Sequence, residues 1–168
     1  FFPAIRAMRA IAPLVVALLV LLPCMGQEIE TIGDVEAFEA KVINSNTVFL
    51  VVFTAKSEDE TKLKGVNVER CREVEGQLAA VATELKPLGI QVVVADIDDL
   101  GPIASEFNVR KRMLPSPQLF GVRARSAEAV PSKLFDKPDV VKAAVEQVLV
   151  ENPKTAEGIY SKITLSLG

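Results

Sequence analysis

Residues 47–54 read TVFLVVFT, an unbroken run of apolar, β-branched and aromatic side chains enclosed by two threonines. A run of this length and composition predicts a strand that is buried on both faces, as the strands of a parallel sheet are. A second run of this kind, IQVVVADI, occupies residues 90–97. Because parallel strands need a long connection between them, the two runs predict strands of one parallel sheet joined through a helix.

A helix is also predicted on the N-terminal side of the first run. Asp34 is suited to cap this helix, and the apolar residues Val35, Phe38 and Val42 follow at intervals of three and four. Before Asp34, the alternating residues 28–32 predict a short first strand. The chain therefore begins its fold as strand, helix, strand.

The same patterns predict the remaining elements. A stripe of apolar residues over residues 71–85 predicts a helix, which Pro87 and Gly89 end. Two late strands without a helix between them predict an antiparallel edge of the sheet. The predicted fold class is therefore α/β, with a central mixed sheet flanked by helices. The other predicted elements are a short helix at 102–107, strands at 114–120 and 127–134, and a final helix from Asp136 or Pro138 to Asn152.

The composition excludes several kinds of chemistry. The 168 residues include 0 histidines, 0 tryptophans and 2 cysteines. A Ser-His-Asp triad, a Cys-His pair, a histidine-ligated zinc and a four-cysteine metal cage therefore cannot be built, and we predict no metal site and no cofactor. The formal net charge of −3 offers no basic field of the kind that phosphate backbones require. We expect no nucleic-acid partner.

Residues 1–26 have the pattern of a secretory leader. Arg6 and Arg9 precede the apolar stretch IAPLVVALLVLL at residues 11–22, and the segment contains no acidic residue. A membrane span needs roughly 20 apolar residues, so this shorter stretch is typical of a cleavable signal peptide. We predict cleavage before Gln27. The alternative is an uncleaved signal anchor, which would be the chain's contact with a membrane.

Cleavage at this point would leave one domain, predicted at residues 27–152, with Cys71 as its single cysteine. One cysteine cannot close an internal disulfide, so the domain depends on its core for stability. Residues 56–70 carry four basic and four acidic side chains and are predicted to be a charged loop insertion. Residues 153–168 show no clear period and are predicted to be a C-terminal tail or the truncated start of a further segment.

Five short segments occur in the order in which one known family has them. They are Leu50-Val-Val-Phe-Thr-Ala55, Cys71 with the helix behind it, Val94-Ala-Asp-Ile-Asp98, Phe107-Asn-Val-Arg110, and Leu114-Pro115 followed by Gln118-Leu-Phe-Gly121. Because of these five segments in this order, residues 28–150 resemble the protein disulfide isomerase group of the thioredoxin-like superfamily. The resemblance implies a thioredoxin-like fold in which Pro115 is the cis-proline.

The resemblance also implies which catalytic groups this chain lacks. In active members the first cysteine lies at a helix N-terminus, where the helix dipole favours its thiolate. Val68 matches that position, and Val52 matches the position of a buried acid that assists proton transfer. Cys71 matches the second, inward cysteine. We therefore predict that Val68 and Cys71 are vestiges of a Cys-x-x-Cys site and that no catalytic residue remains.

The predicted function is binding of polypeptide clients or a partner protein without redox catalysis, as a chaperone or adaptor. The leader indicates the secretory pathway, and the resemblance implies the endoplasmic reticulum lumen or secretion. In active members the cis-proline loop contacts an extended client peptide, which implies Leu114, Pro115 and Ser116 as client-binding residues. Two alternatives stay open. One is a thiol-disulfide oxidoreductase or isomerase that works through Cys71 alone, and the other is a structural subunit or one module of a longer isomerase.

Overall fold

The computed structural model describes residues 29–56, 61, 63–123 and 125–156, so the predicted leader and most of the predicted tail lie outside the described residues. The strands are β1 (Glu30–Ile32), β2 (Val48–Thr54), β3 (Ile90–Asp96), β4 (Ser116–Phe120) and β5 (Ala127–Ala129). They form one sheet in the order β1-β3-β2-β4-β5. β1, β3 and β2 run parallel, whereas β4 is antiparallel to both β2 and β5. The predicted mixed sheet with an antiparallel edge is confirmed.

The α-helices of the described residues are α1 (Val35–Phe38), α2 (Val68–Leu85), α3 (Gly101–Glu106) and α4 (Pro138–Glu151). Asp34 caps α1 as predicted, because its Oδ1 accepts a hydrogen bond of 2.7 Å from the Ala37 amide. The helix then continues as a π-helix over Glu39–Ile43. Among these helices, none combines the length and the apolar content needed to span a bilayer.

Successive residues of β2 face opposite sides of the sheet, and each side has its own apolar cluster. Leu50 and Val52 belong to the cluster that contains the buried apolar residues of α4 and those of α2 other than Cys71. Val51 and Phe53 belong to the cluster that contains those of α1, its π-helical extension and α3. All seven residues of β2 are buried. Burying one aliphatic or aromatic side chain stabilises a fold by about 1.5–3 kcal/mol, so this central strand contributes strongly to both layers.

The second helix begins earlier than the sequence predicts. Val68 is its first residue, whereas the apolar stripe predicted a start at Cys71. Asn67 caps the helix, since its Oδ1 accepts a hydrogen bond of 3.0 Å from the Arg70 amide. The polar residues of the first turn therefore belong to α2. The predicted loop insertion at 56–70 is wrong at its C-terminal end, because the last three residues are helical.

The last strand is shorter than predicted. The prediction extended it over residues 127–134, but β5 ends at Ala129. Pro131 has no amide hydrogen to donate to a sheet, and a 3-10 helix follows at Ser132–Asp136. Phe135 in this segment is fully buried in the cluster between the sheet, α2 and α4. The chain thus leaves the sheet early and uses this turn to close the core.

Candidate functional site

Three strands of the sheet begin or end at the same place. Thr54, the last residue of β2, is in register with Asp96, the last residue of β3. The preceding residue of β2, Phe53, is in register with Ser116, the first residue of β4. The C-terminal ends of two parallel strands therefore meet the start of an antiparallel one. Ligand sites of open α/β sheets commonly lie at such strand ends.

Cys71 is buried beneath this edge. Its side chain is 2% exposed and belongs to the same apolar cluster as Ala55 and Leu114. Burial raises the pKa of the thiol above its ordinary value of 9.0, and Glu75 raises it further. The main-chain amide of Ala55, which hydrogen-bonds the sulfur, opposes this rise in part. Because the thiolate is the reactive form of cysteine, the thiol is both shielded and protonated at neutral pH.

Val68 lies one helical turn before Cys71. It is the first residue of α2 and is half-buried. The Cys71 amide donates a hydrogen bond of 3.0 Å to the main-chain oxygen of Asn67, so the first turn is closed by a regular helical bond. This places an aliphatic side chain, which has no nucleophilic atom, at the helix N-terminus. The helix dipole at this end would favour a thiolate, but the chain supplies none there.

The predicted client-binding residues run from the apolar cluster that contains Cys71 to the start of β4, since Leu114 belongs to that cluster and Ser116 is the first residue of the strand. The Leu114–Pro115 peptide bond is cis, as the resemblance implied. The side chains of Leu114, Pro115 and Ser116 are all buried, and the Ser116 hydroxyl accepts a hydrogen bond of 3.1 Å from Nε2 of Gln118. Their contact with a client remains a prediction. With these side chains buried, such contact would have to use the main chain or neighbouring side chains.

A basic turn at residues 110–113 immediately precedes these residues, and the apolar patterns of the sequence do not predict it. Arg110, Arg112 and Met113 are exposed, and Lys111 forms an ion pair of 2.6 Å with Asp98, just beyond the end of β3. The signal was present as three consecutive basic residues in an acidic chain. The turn therefore places two exposed guanidinium groups and a thioether beside the cis-proline segment.

Two further polar groups complete this edge. Asp96 is buried, and its carboxylate accepts hydrogen bonds from the amides of Lys56 (3.2 Å) and Asp98 (2.9 Å). The Thr54 hydroxyl is fully buried without a hydrogen-bond partner among the described residues. In the described part of the chain, no group of three or more cysteine or carboxylate side chains is arranged to hold a metal ion.

Arg70 links the start of α2 to the segment before α4 through hydrogen bonds. Its guanidinium donates to the carboxylates of Glu73 (2.9 Å) and Asp136 (2.7 Å) and to the main-chain oxygen of Ser132 (2.7 Å). The hydrogen bonds to Glu73 and Asp136 raise the pKa of Arg70. This arginine therefore positions the helix that carries Val68 and Cys71.

Comparison with known proteins shows the fold. No protein-family model matches the chain, and no curated protein matches it in sequence. Among solved structures it is similar to the form II crystal structure of ERdj5, with a TM-score of 0.56 and 14% identity over 74% of this chain. That match spans 15% of the ERdj5 chain.

Two whole thioredoxins are similar as well. The thioredoxin from Trypanosoma brucei brucei has a TM-score of 0.53 and 15% identity, covering 77% of this chain and 97% of its own. Mitochondrial thioredoxin 3 from Saccharomyces cerevisiae has a TM-score of 0.50 and 15% identity, covering 71% of this chain and 94% of its own. The chain therefore has a thioredoxin-like fold.

Proposed function

We propose that this chain is a redox-inactive thioredoxin-like domain of the secretory pathway that binds polypeptide clients or partners, as a chaperone or adaptor. The observation that carries the proposal is the pair formed by Val68 and Cys71. An aliphatic residue begins the helix where a nucleophilic cysteine would lie, and the thiol one turn later is 2% exposed.

Disulfide exchange needs groups that this pair does not supply. A thiolate must attack a client disulfide, and a second thiol must then resolve the mixed disulfide. Val68 has no sulfur, and Cys71 is buried with a raised thiol pKa. A buried free cysteine of this kind usually acts as a small apolar residue. These properties argue against catalysis through Cys71 alone.

Polypeptide binding needs no thiol. The edge of the sheet beside the cis-proline segment carries the exposed side chain of Met113 next to two exposed arginines. A polypeptide can be held there through main-chain contacts and side-chain packing even when the redox residues are missing. The predicted leader supports a place in the secretory pathway, where unfolded polypeptide would be the available client.

The first test measures redox catalysis. The wild-type chain should not accelerate the reduction of insulin by dithiothreitol. Val68→Cys restores two cysteines three residues apart on one helical face, so it should confer insulin reduction, and Cys71→Ser in that background should abolish it. Glu69→Cys is the matched control, because this exposed residue is two positions from Cys71 and faces another direction. Wild-type catalysis that Cys71→Ser removes would establish the single-cysteine oxidoreductase instead.

The second test measures polypeptide binding. The chain, expressed with its own leader through a secretory host, should slow the thermal aggregation of a model client such as citrate synthase in a concentration-dependent manner. Cys71→Ser should act as well as wild type, because no thiol takes part in binding. A wild-type chain that leaves client aggregation unchanged would contradict the proposal and favour a structural subunit.

A further inference from the structure

We infer that the basic turn at residues 110–113 is the surface that selects clients, and that it takes acidic polypeptide segments in which carboxylates flank an apolar side chain. This inference rests on the proposed polypeptide-binding function and names the class of segment bound. The inference is carried by two exposed arginines that have no ionic partner among the described residues and that lie beside an exposed methionine. The turn that bears them directly precedes the cis-proline.

The turn concentrates positive charge in a chain that is acidic overall. The formal net charge is −3, yet Arg110, Lys111 and Arg112 are consecutive. Lys111 is engaged by Asp98, whereas the exposed Arg110 and Arg112 form no ion pair with any carboxylate of the described residues. Two guanidinium groups are therefore left for a partner. Guanidinium is suited to this task, because its planar array of donors matches a carboxylate.

Met113 adds an apolar contact to these charges. It is 49% exposed and, with Val150, is one of two exposed large hydrophobic residues in the described part of the chain. Val150 lies near the end of α4, whose buried residues belong to a different apolar cluster from that of Leu114. A methionine side chain is flexible and polarisable, and it packs against varied apolar groups. The neighbouring arginines and methionine therefore fit a segment with an apolar side chain between acidic ones.

The turn is held in place before any partner binds. The Met113 amide donates to the main-chain oxygen of Arg110 (2.8 Å), and the Leu114 amide donates to that of Lys111 (3.2 Å). The ion pair between Lys111 and Asp98 anchors the turn to the segment after β3, and Leu114 anchors it to the core. Because the main chain of the turn is already fixed, ordering it costs little conformational entropy on binding.

The amount of charge favours a polypeptide over a nucleic acid. Proteins that bind nucleic acids neutralise several phosphates at once, whereas this turn offers two exposed arginines on a chain with a net charge of −3. A polypeptide segment with two or three carboxylates carries enough negative charge to pair with two arginines. We therefore expect an acidic polypeptide at this surface. The experiment must distinguish it from a nucleic acid and from a second copy of the chain.

The experiment measures fluorescence anisotropy of labelled peptides with the full chain, expressed with its own leader. Three peptides of about 12 residues alternate leucine with aspartate, serine or lysine, so they differ in charge and share their apolar content. We expect the acidic peptide to bind about tenfold more tightly than the serine peptide, and the lysine peptide to bind most weakly. Raising the salt concentration from about 50 mM to about 300 mM should remove most of this preference, because it shortens the screening length.

Variants locate the binding surface. Arg110→Glu with Arg112→Glu should weaken binding of the acidic peptide about tenfold or more and should shift the preference toward the lysine peptide. The matched control is Lys86→Glu with Arg123→Glu, which makes the same change in net charge at two exposed residues at the opposite end of the sheet. This control should bind within about twofold of wild type. Met113→Ser should weaken the acidic and the serine peptides alike, by about threefold.

Several results would overturn the inference. Equal losses in the two double variants would attribute the effect to net charge alone, and equal binding of all three peptides would remove the selectivity. Competition by oligothymidylate as strong as by the acidic peptide would identify a nucleic-acid site. A wild-type dimer in sedimentation that the Arg110 and Arg112 variant dissociates would identify a second copy as the occupant.

Failure of the inference can be told apart from failure of the proposed function. If the charge-reversed variant still slows client aggregation as well as wild type, only the assignment of the surface is wrong. If the wild-type chain neither slows aggregation nor binds any of the three peptides, both are wrong. Thermal unfolding of every variant, followed by circular dichroism, verifies that a loss of binding does not come from a loss of folding.

Discussion

The Nζ atom of Lys111 lies 2.6 Å from Oδ1 of Asp98, and this ion pair joins the basic turn to the segment that follows β3. The Asp98 amide in turn donates to the carboxylate of Asp96, the buried last residue of that strand. The turn is therefore connected to the core of the sheet through two successive polar contacts. Any surface function of the turn depends on this connection.

Replacing Lys111 by methionine tests how much the ion pair with Asp98 contributes to the stability of the fold. Asp98, whose side chain is 18% exposed, would keep a half-buried carboxylate without its cation, so the free energy of unfolding should fall by about 1–2 kcal/mol. The control is Lys142→Met, whose more distant ion pair with Glu84 (3.6 Å) should contribute less than about 0.5 kcal/mol. Urea unfolding measures both, and equal losses would show that the pair with Asp98 has no special role.

The raised pKa of Cys71 predicts a stability change at alkaline pH. In the unfolded chain the thiol ionises near pH 9.0, whereas burial keeps it protonated to higher pH in the folded domain. Above that pH the unfolded state binds fewer protons, so the free energy of unfolding decreases as pH rises. The contribution of the thiol is thus complete below about pH 8 and is lost progressively above about pH 9.

Cys71→Ala separates this effect from the titration of lysines. The free energy of unfolding of the chain from Gln27 onward, where Cys71 is the single cysteine, should fall more steeply with pH in wild type than in the variant. Iodoacetamide should also label the folded protein far more slowly than the urea-unfolded chain, because the thiol is buried. Parallel pH curves, or equal labelling rates, would show that the thiol is accessible and ionisable.

Much of the fold could be predicted because its signals are local. The apolar run of β2 requires burial on both faces, and the predicted order of strands and helices agrees with the structure. The start of α2 was missed because the residues of its first turn, such as Glu69 and Arg70, are polar and resemble a loop in composition. The capping residue Asn67 was the available signal, since it is a preferred helix N-cap.

The candidate site was less predictable because exposure is not encoded locally. The Leu114–Pro115 bond is cis, as the resemblance implied, but only the structure shows that Leu114, Pro115 and Ser116 are buried. The basic turn could not be predicted from periodic apolar patterns, because these patterns indicate the core and not the surface charge. The ion pair between Lys111 and Asp98 joins residues 13 positions apart in the chain. It depends on how β3 and the turn pack together, so local sequence does not predict it.

Removing the buried hydroxyl of Thr54 should stabilise the fold. Its Oγ1 has no partner among the described residues, and the side chain is fully buried. Thr54→Val has nearly the same shape without the unsatisfied polar atom, so it should raise the free energy of unfolding by about 1 kcal/mol. Ser116→Ala should lower it by a similar amount, about 1 kcal/mol, because Ser116 accepts a hydrogen bond from Gln118. Destabilisation by Thr54→Val would reveal a hydrogen-bond partner for this hydroxyl.

Arg70 is expected to support the helix on which the proposed vestigial site lies. Its guanidinium bonds two carboxylates and the main-chain oxygen of Ser132 together, and a lysine cannot reproduce this planar fork. Arg70→Lys should therefore lower the free energy of unfolding by about 1 kcal/mol. Arg72→Lys is the matched control, since Arg72 is exposed on the same helix without a charged partner in the described residues, and it should change stability by less than about 0.5 kcal/mol.

Because the contacts of Arg70 hold the start of α2 against the segment before α4, amide hydrogen exchange at residues 68–71 should accelerate in Arg70→Lys and stay unchanged in Arg72→Lys. Uniform acceleration across the whole domain would instead indicate a global loss of stability without a local role for this arginine.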